Sequence, residues 1–472
     1  AGFSHFDYVD PQAPRGGRIN FRPPSWAYNQ NTQTYNTFNT FILKGDAPPR
    51  MELCFDTLMV RALDEPDAMY GLLAESVEVS DDGNTFVFNL RPEAKFHDDS
   101  KLTAEDVAFS IMLLKADGHP QISQTLQELV DTEVLDEARV AVRFSGKQTR
   151  QLPLFVAGLP IFSKRYYTDY DFKQSTLTPP VSSGPYRVGD HAVGRYVEYE
   201  KVKDYWAKDL PTVVGHYNFD IIRVDFFRER QAGFEAFKKG VITFQEEFTS
   251  KIWATGYDFP AVQDGRVVRE EIVDNRPAGA QAWYFNTRLD KFKDPRVRKA
   301  LGLAFAFEWT NEVLFYGLYT RSASYFENSD MKAEGKPSTA ELALLEPFRD
   351  QVPADVFEEA PVPPVSDGSK SDRSLLRQAA RLWLAAGGRA DVPVLVPSAP
   401  LSMGTAGPAS PCTGVSERAV FSTCRPKAKR GCASSAREKS SNGMVDASSP
   451  PSTAIASPPA SPLTLGMAMR TR

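Results

Sequence analysis

Thr85-Phe86-Val87-Phe88-Asn89-Leu90, Phe96-His97-Asp98 and Leu102-Thr103-Ala104-Glu105-Asp106-Val107 follow one another closely in the chain, and their reading decides the fold. In the first segment Phe86, Phe88 and Leu90 alternate with less apolar residues, the pattern of a half-buried strand, and the turn Asp81-Asp82-Gly83 precedes it. In the last segment Thr103 is placed as an N-cap with Glu105 and Asp106 in the first turn. Behind it Ala104, Val107, Ala108, Ile111 and Leu114 recur at helical spacing. Val140, Val142 and Phe144 alternate again and predict a further strand.

The same mixture continues outward. Near the start, Pro11, Pro14, Gly16 and Gly17 lead into an extended Arg18-Ile19-Asn20-Phe21. Tyr28 to Thr40 is rich in Asn, Gln and Thr without helical periodicity, which fits a surface loop or one wall of a polar binding site. Ser183-Gly184-Pro185-Tyr186 is a turn running into a strand at Tyr196–Tyr199, and Ile221–Phe227 is a dense apolar strand. Ala232, Phe234, Ala236 and Phe237 predict a short helix stopped at Gly240. Strands are expected at Val267–Ile272 and Ala282–Asn286. Asp294 should cap a helix whose first residue is Pro295, with Val297, Ala300, Leu301 and Ala304 on one face. Ser374–Leu384 opens another helix. Strands and helices are interspersed rather than segregated, so the class is α/β with several lobes.

The chain has 472 residues, 42% hydrophobic and 11% aromatic, with formal net charge −5. That length predicts more than one domain. A negative balance argues against a nucleic-acid binder held by phosphate contacts. No apolar run approaches the ~20 residues of a membrane span; Leu152–Phe162 is interrupted by Pro153 and Pro160. The average also hides a seam. Of 54 aromatic residues, 53 lie in residues 1–387, and the last 85 residues hold Phe421 alone. Those 85 residues contain 38 Ser, Pro and Ala and carry net charge +6, leaving −11 for the rest.

Much familiar chemistry is missing. The five histidines are scattered, with neither HExxH nor paired ligand spacing, and no metal is expected. GxGxxG, GxxxxGK[ST] and GxSxG are absent, so no cofactor and no enzyme activity are predicted. His97-Asp98-Asp99 is read as turn and cap hydrogen bonding rather than acid–base work. Cys54, inside Leu53-Cys54-Phe55, reads as a buried core thiol, and Cys412, Cys424 and Cys432 fit no zinc pattern. What remains is aromatic surface in irregular segments: Trp26, Tyr28, Tyr35, Trp206, Trp253, Tyr257, Trp283 and Tyr316. Such residues suit a cleft for a polar organic ligand, or else core and interlobe packing.

Taken with Gly71-Leu72-Leu73-Ala74-Glu75-Ser76, the opening stretch resembles the signature of the family-5 extracellular solute-binding proteins, the peptide and nickel binding components of bacterial ABC importers. Ser183-Gly184-Pro185-Tyr186, Asp204-Tyr205-Trp206, Phe285-Asn286-Thr287 and Asp294-Pro295-Arg296-Val297-Arg298-Lys299-Ala300 continue the resemblance in order. His5-Phe6-Asp7-Tyr8-Val9-Asp10-Pro11, Leu63-Asp64-Glu65-Pro66 and Trp253-Ala254-Thr255-Gly256-Tyr257-Asp258-Phe259-Pro260 are similar to the oligopeptide and microcin C uptake subgroup. One departure is Asp99-Ser100, where the family has glycine after His-Asp.

The resemblance covers residues 1 to about 386 and implies a two-lobed periplasmic binding protein of the large peptide-binding type (class II), with an inserted subdomain. The first lobe would take residues 1–50 and 165–280, the insert 51–164, and the start of a second lobe 281–386. A strand near Trp283–Arg288 would cross the hinge. The implied ligand is a peptide or peptide-like compound held by main-chain hydrogen bonds and side-chain pockets. The implied partners are an ABC permease and ATPase, with the binder itself monomeric. Asn29 and Asn31 in the polar loop, and Trp283 and Asn286 at the crossing strand, are the expected substrate-binding residues. The opening Ala1-Gly2-Phe3-Ser4 lacks Met and a basic n-region, and fits an exported chain freed of its signal or a trimmed cytoplasmic one. Residues 387–472 read as a low-complexity, disordered tail that cuts the second lobe short. A shifted reading frame from about residue 385 accounts for the change; a natural extension is the alternative.

Overall fold

Arg18-Ile19-Asn20-Phe21 forms the strand that its sequence predicts, at the centre of the larger sheet. The structure is a computed structural model and describes residues 2–22, 27–65, 67–146, 148, 151–272, 278, 282–388 and 466–471. After β1 (Arg18–Phe21) come β2 (Met59–Arg61), β3 (Met69–Gly71), β4 (Ala74–Val79), β5 (Thr85–Leu90), β6 (Leu129–Asp136) and β7 (Arg139–Phe144). Next are β8 (Tyr186–Ala192), β9 (Tyr196–Lys201), β10 (Ile221–Asp225), β11 (Phe244–Glu247), β12 (Val267–Ile272) and β13 (Gly466–Thr471). The larger sheet runs β12-β13-β11-β1-β10-β9-β8, and a four-stranded sheet runs β4-β5-β7-β6. β1 is parallel to both neighbours, with Phe21 opposite Val224 of β10 and Phe244 of β11. β8, β9 and β10 pair antiparallel, as do all neighbours in the smaller sheet.

The smaller sheet and its helix follow the opening stretch closely. Phe88, Leu90, Val140, Val142 and Phe144 share one apolar cluster with Val107, Ile111 and Leu114 of the Ala104–Asp117 helix. That cluster extends to Phe21, Val197, Tyr199 and Val224 of the larger sheet, so the two sheets have a continuous core. The helix start is built as predicted. Asp106 Oδ2 accepts the Thr103 N–H at 2.9 Å, and Asp106 Oδ1 accepts the Lys164 N–H at 2.9 Å. Asp106→Ala leaves both donors unpaired and is expected to cost about 1–2 kcal/mol. Thermal denaturation checks this, and an unchanged Tm would refute it.

Three of the quoted motifs meet on one segment. Gly184 N–H donates to Cys54 O at 2.8 Å, and Ser183 Oγ accepts the Asp56 N–H at 3.2 Å. Tyr205 OH and Trp206 Nε1 donate to the two oxygens of Asp56 at 2.6 and 2.8 Å. His97 reaches the same turn, with Nε2 at 2.8 Å from Gly184 O and Nδ1 at 3.2 Å from Ser182 Oγ. Cys54 is buried and unpaired, and burial pushes its thiol pKa up, the state of an inert core thiol. Asp99 has φ +64°, the left-handed conformation that glycine supplies more cheaply, and Lys95 Nζ holds its carboxylate at 2.6 Å.

Two expectations shift. β10 stops at Asp225 rather than Phe227, because its partner β9 begins at Tyr196 opposite Asp225, just beyond the turn at Gly194. The strand expected at Ala282–Asn286 is not formed, and residues 282–286 are irregular. No ladder partner faces them among the described residues, and Asn286 turns the chain instead. Its Oδ1 accepts the Arg288 N–H at 3.1 Å and its carbonyl accepts the Leu289 N–H at 3.0 Å.

Residues 282–388 bury little. Val297, Ala300, Leu303 and Ala379 are their buried apolar residues, while sixteen large apolar side chains of this stretch are exposed, among them Tyr325, Met331, Leu344 and Val362. The predicted helices are present at Pro295–Leu303 and Arg373–Ala385, packed through Ala300, Leu303 and Ala379. Of the tail, residues 389–465 and 472 lie outside the described residues. The stretch 466–471 is extended as β13. Its backbone pairs antiparallel with both β11 and β12, occupying a place that any short extended segment can fill by main-chain bonds.

Candidate functional site

In an open sheet with parallel strands, ligands bind beyond the carboxyl ends of those strands. Here β1, β10 and β11 run in the same direction, and the chain leaves them at Arg22, Phe226 and Phe248. β11 continues past the end of β1, because Phe244 is already level with Phe21. Gln245, Glu246 and Glu247 therefore overhang the edge. The Arg230–Lys238 helix, which ends at Gly240 as its sequence predicts, brings Arg230 to the same place. Between them lies a small recess open to solvent, lined by Arg22, Arg230, Gln245, Glu247, Phe248 and Ile252.

The two arginines differ in their support. Arg230 donates through Nη1 to Thr249 Oγ1 at 3.1 Å and lies over the Phe248 ring at 4.4 Å. Arg22 Nε is buried and has no hydrogen-bond partner among the described residues. Burial, then the nearby charge of Arg230, holds the Arg22 guanidinium below its ordinary pKa, with Glu247 acting in the opposite sense. Glu247 is itself engaged elsewhere, accepting the Thr249 N–H at 2.8 Å and the Tyr257 hydroxyl at 3.4 Å. Glycine in a helix interior costs about 1 kcal/mol relative to alanine, yet Gly233 faces the Arg22 stem. A Cβ there would lie 3.1 Å from Arg22 Cδ.

The four expected site residues divide into two pairs. Asn29 donates through Nδ2 to Asn39 O at 3.0 Å and Lys44 O at 3.1 Å, while its buried Oδ1 is unpartnered. Asn31 donates to Asp46 Oδ1 at 3.1 Å and accepts the Gln33 N–H at 2.8 Å. Both amides thus help to close the loop between Tyr28 and Ala47. Trp283 is 63% exposed and meets Phe305 edge-on at 5.7 Å, and Asn286 holds the turn described above. No hydrogen bond joins the two pairs among the described residues. Of the aromatic candidates, Tyr35, Trp253 and Tyr257 are buried, Trp206 is tied to Asp56, and Trp26 lies outside the described residues. Arg22 and Arg230 are missed by sequence reasoning. An arginine directly after an apolar strand, and a glycine inside the helix of Phe234 and Phe237, are the available signals.

Among the described residues no cluster of three or more His, Cys, Asp or Glu is placed to hold a metal ion, and no helix is long and apolar enough to cross a membrane. The chain is 38% identical over 387 residues to the Escherichia coli K12 protein called uncharacterized protein YejA, covering 82% of this chain and 62% of that one. It is 38% identical over 395 residues to the probable peptide-binding protein YejA of Agrobacterium fabrum, covering 82% and 63%. It therefore spans less than two thirds of the length of either relative. The fold is shared with NikA from Brucella suis, solved in complex with Fe(III)-EDTA, at TM-score 0.54 and 18% identity over 79% of this chain and 64% of that one. Residues 68–390 match the family described as bacterial extracellular solute-binding proteins, family 5 Middle, and the chain belongs to that family.

Proposed function

We propose that this chain is the substrate-binding component of an ABC importer, capturing oligopeptides or peptide-like compounds and delivering them to a membrane permease with its ATPase. The observation that carries the reading is the open edge at Arg22, Phe226 and Phe248, where three parallel strands end beside a recess lined by polar and aromatic groups. Family membership supplies the class, and the name of the Agrobacterium fabrum relative favours a peptide. Binding needs no chemistry on the ligand. Closure of a second lobe over the edge would favour the liganded state through contacts made only when closed. The binder acts as a periplasmic monomer in this reading, and microcin C is a peptide-like compound to include among trial ligands.

Tetra-alanine added to the full chain is expected to change tryptophan emission saturably, and no saturable response to any di-, tri- or longer peptide would overturn the reading. Trp283 is the expected site residue with an exposed ring, and Asn286 lies three residues beyond it. Trp283→Ala is expected to weaken tetra-alanine binding about tenfold, the loss of an aromatic contact of roughly 1.4 kcal/mol, whereas Trp283→Phe keeps most of the affinity. Calorimetric titration reads both, and equal affinities remove Trp283 from the site. For Asn29 and Asn31 the loop bonds favour a role in shaping that wall.

A second reading is that the chain is an incomplete product of such a gene, with a second lobe cut short and no transport function. The exposed apolar side chains of residues 282–388 favour it. Limited proteolysis separates the two readings. Trimming back to about residue 280, together with a flat fluorescence titration, would select the incomplete product.

A further inference from the structure

We infer that Arg22 and Arg230 form a carboxylate subsite for the ligand; the inference rests on the solute-binding reading and specifies its chemistry. Two guanidinium groups line one recess, and such groups stay protonated throughout the physiological range. Among the described residues neither makes an ion pair within 4.0 Å, and the buried Arg22 Nε has no hydrogen-bond acceptor. A buried donor without a partner is costly, and a ligand that reaches it on binding can supply the acceptor. Glu247 does not supply it, since its oxygens take the Thr249 N–H and the Tyr257 hydroxyl.

Gly233 is an independent observation. This helix-interior residue lacks a Cβ where that atom would press on Arg22 Cδ at 3.1 Å and touch Phe227 at 3.5 Å. The notch sets the path of the Arg22 stem, and thereby where its planar donor fork ends. Arg230 is fixed by a different set of groups, Thr249 Oγ1 and the Phe248 ring. A planar carboxylate is the acceptor that such forks match best, by paired N–H···O bonds. Phe248 and Ile252 beside them offer apolar surface to the neighbouring part of the ligand. The carboxylate is either the C-terminal group of a peptide or an acidic side chain.

The experiment titrates the full chain with tetra-alanine as free acid, tetra-alanine amide, and Ala-Ala-Glu-Ala amide. Preference for the free acid over both amides assigns the C-terminus, and equal preference for the glutamate peptide assigns a side chain. Arg22→Met and Arg230→Met are each expected to weaken binding of the preferred acid by tenfold or more, and to leave tetra-alanine amide unchanged. Gly233→Ala should maintain or raise thermal stability while weakening the acid, a combination that a merely structural role for Arg22 does not produce. Arginine Nε–H NMR signals, assigned with the two Met variants, are followed with N-acetyl-alanine as a second readout. If peptides bind but neither the amides nor the variants differ from the parent titration, the subsite is overturned and the solute-binding reading stands. If no peptide binds and the Arg22 signal still shifts saturably, the subsite stands and that reading fails. If peptides do not bind and the signals do not move, both fall.

Discussion

Gly184→Ala is expected to destabilise the protein by about 3 kcal/mol or more, a large effect for one methyl group. Its Cβ would lie 2.6 Å from Cys54 C, 2.7 Å from Leu53 O and 2.7 Å from Phe55 N. All three are backbone atoms of a buried segment, so no rotamer change can make room. Relief requires the Leu53–Phe55 backbone to move away, which breaks the Gly184 N–H bond to Cys54 O at 2.8 Å. It also pulls on Asp56, whose side chain anchors Tyr205 and Trp206. Gly302 is the control, because it lies inside the Pro295–Leu303 helix with nothing within 4 Å of the Cβ position. Gly302→Ala should stabilise by up to about 1 kcal/mol through helix propensity alone. Denaturant unfolding of both variants reads the contrast. Two shifts of the same sign and size would refute the packing argument.

Part of the fold is legible in the sequence because its causes act over a few neighbouring residues. Thr85–Leu90 and Arg139–Phe144 declare themselves because each buries alternate residues, and side-chain period is a local property. Thr103 and Asp106 are equally readable, since a cap acts over three residues. Ser183-Gly184-Pro185-Tyr186 and Asp204-Tyr205-Trp206 are visible as motifs, but their shared purpose is not. Asp56 lies 127 residues from Ser183 and 150 from Trp206, and only the folded chain unites them. Ala282–Asn286 has the composition of a strand, yet a strand also needs a neighbour, and composition cannot supply one. The Arg22–Arg230 recess is illegible for the same reason. Its two arginines are 208 positions apart in the sequence, brought together by the parallel pairing of β1 with β11 and by the helix that precedes β11.

Asp56 predicts an unusual dependence of stability on pH. Its carboxyl is fully buried, and burial pushes its pKa up to about 7, against hydrogen bonds from Tyr205, Trp206 and Ser183 that act to lower it. In the unfolded chain the same group titrates near 3.8. Between these values the native state holds a proton that the unfolded state has released, so unfolding gives up a proton and is favoured as pH rises. The contribution is therefore most favourable below about pH 4, declines through the interval, and levels off above about pH 7. The interval from 3.8 to about 7 corresponds to roughly 4 kcal/mol of stability. Most acidic groups with shifted values here are shifted the other way, Asp99 and Asp294 among them by exposed basic partners, so the total profile mixes both signs. Asp56→Asn isolates the effect. It keeps the size of the side chain and one acceptor for Tyr205 or Trp206, but removes the titrating proton. The stability of the native chain relative to Asp56→Asn is expected to fall by several kcal/mol between pH 4 and pH 8, read by urea unfolding with Trp206 emission. Parallel stability curves for the two proteins across that range would show that Asp56 stays ionised in the core, with Tyr205 and Trp206 sufficient to hold its charge.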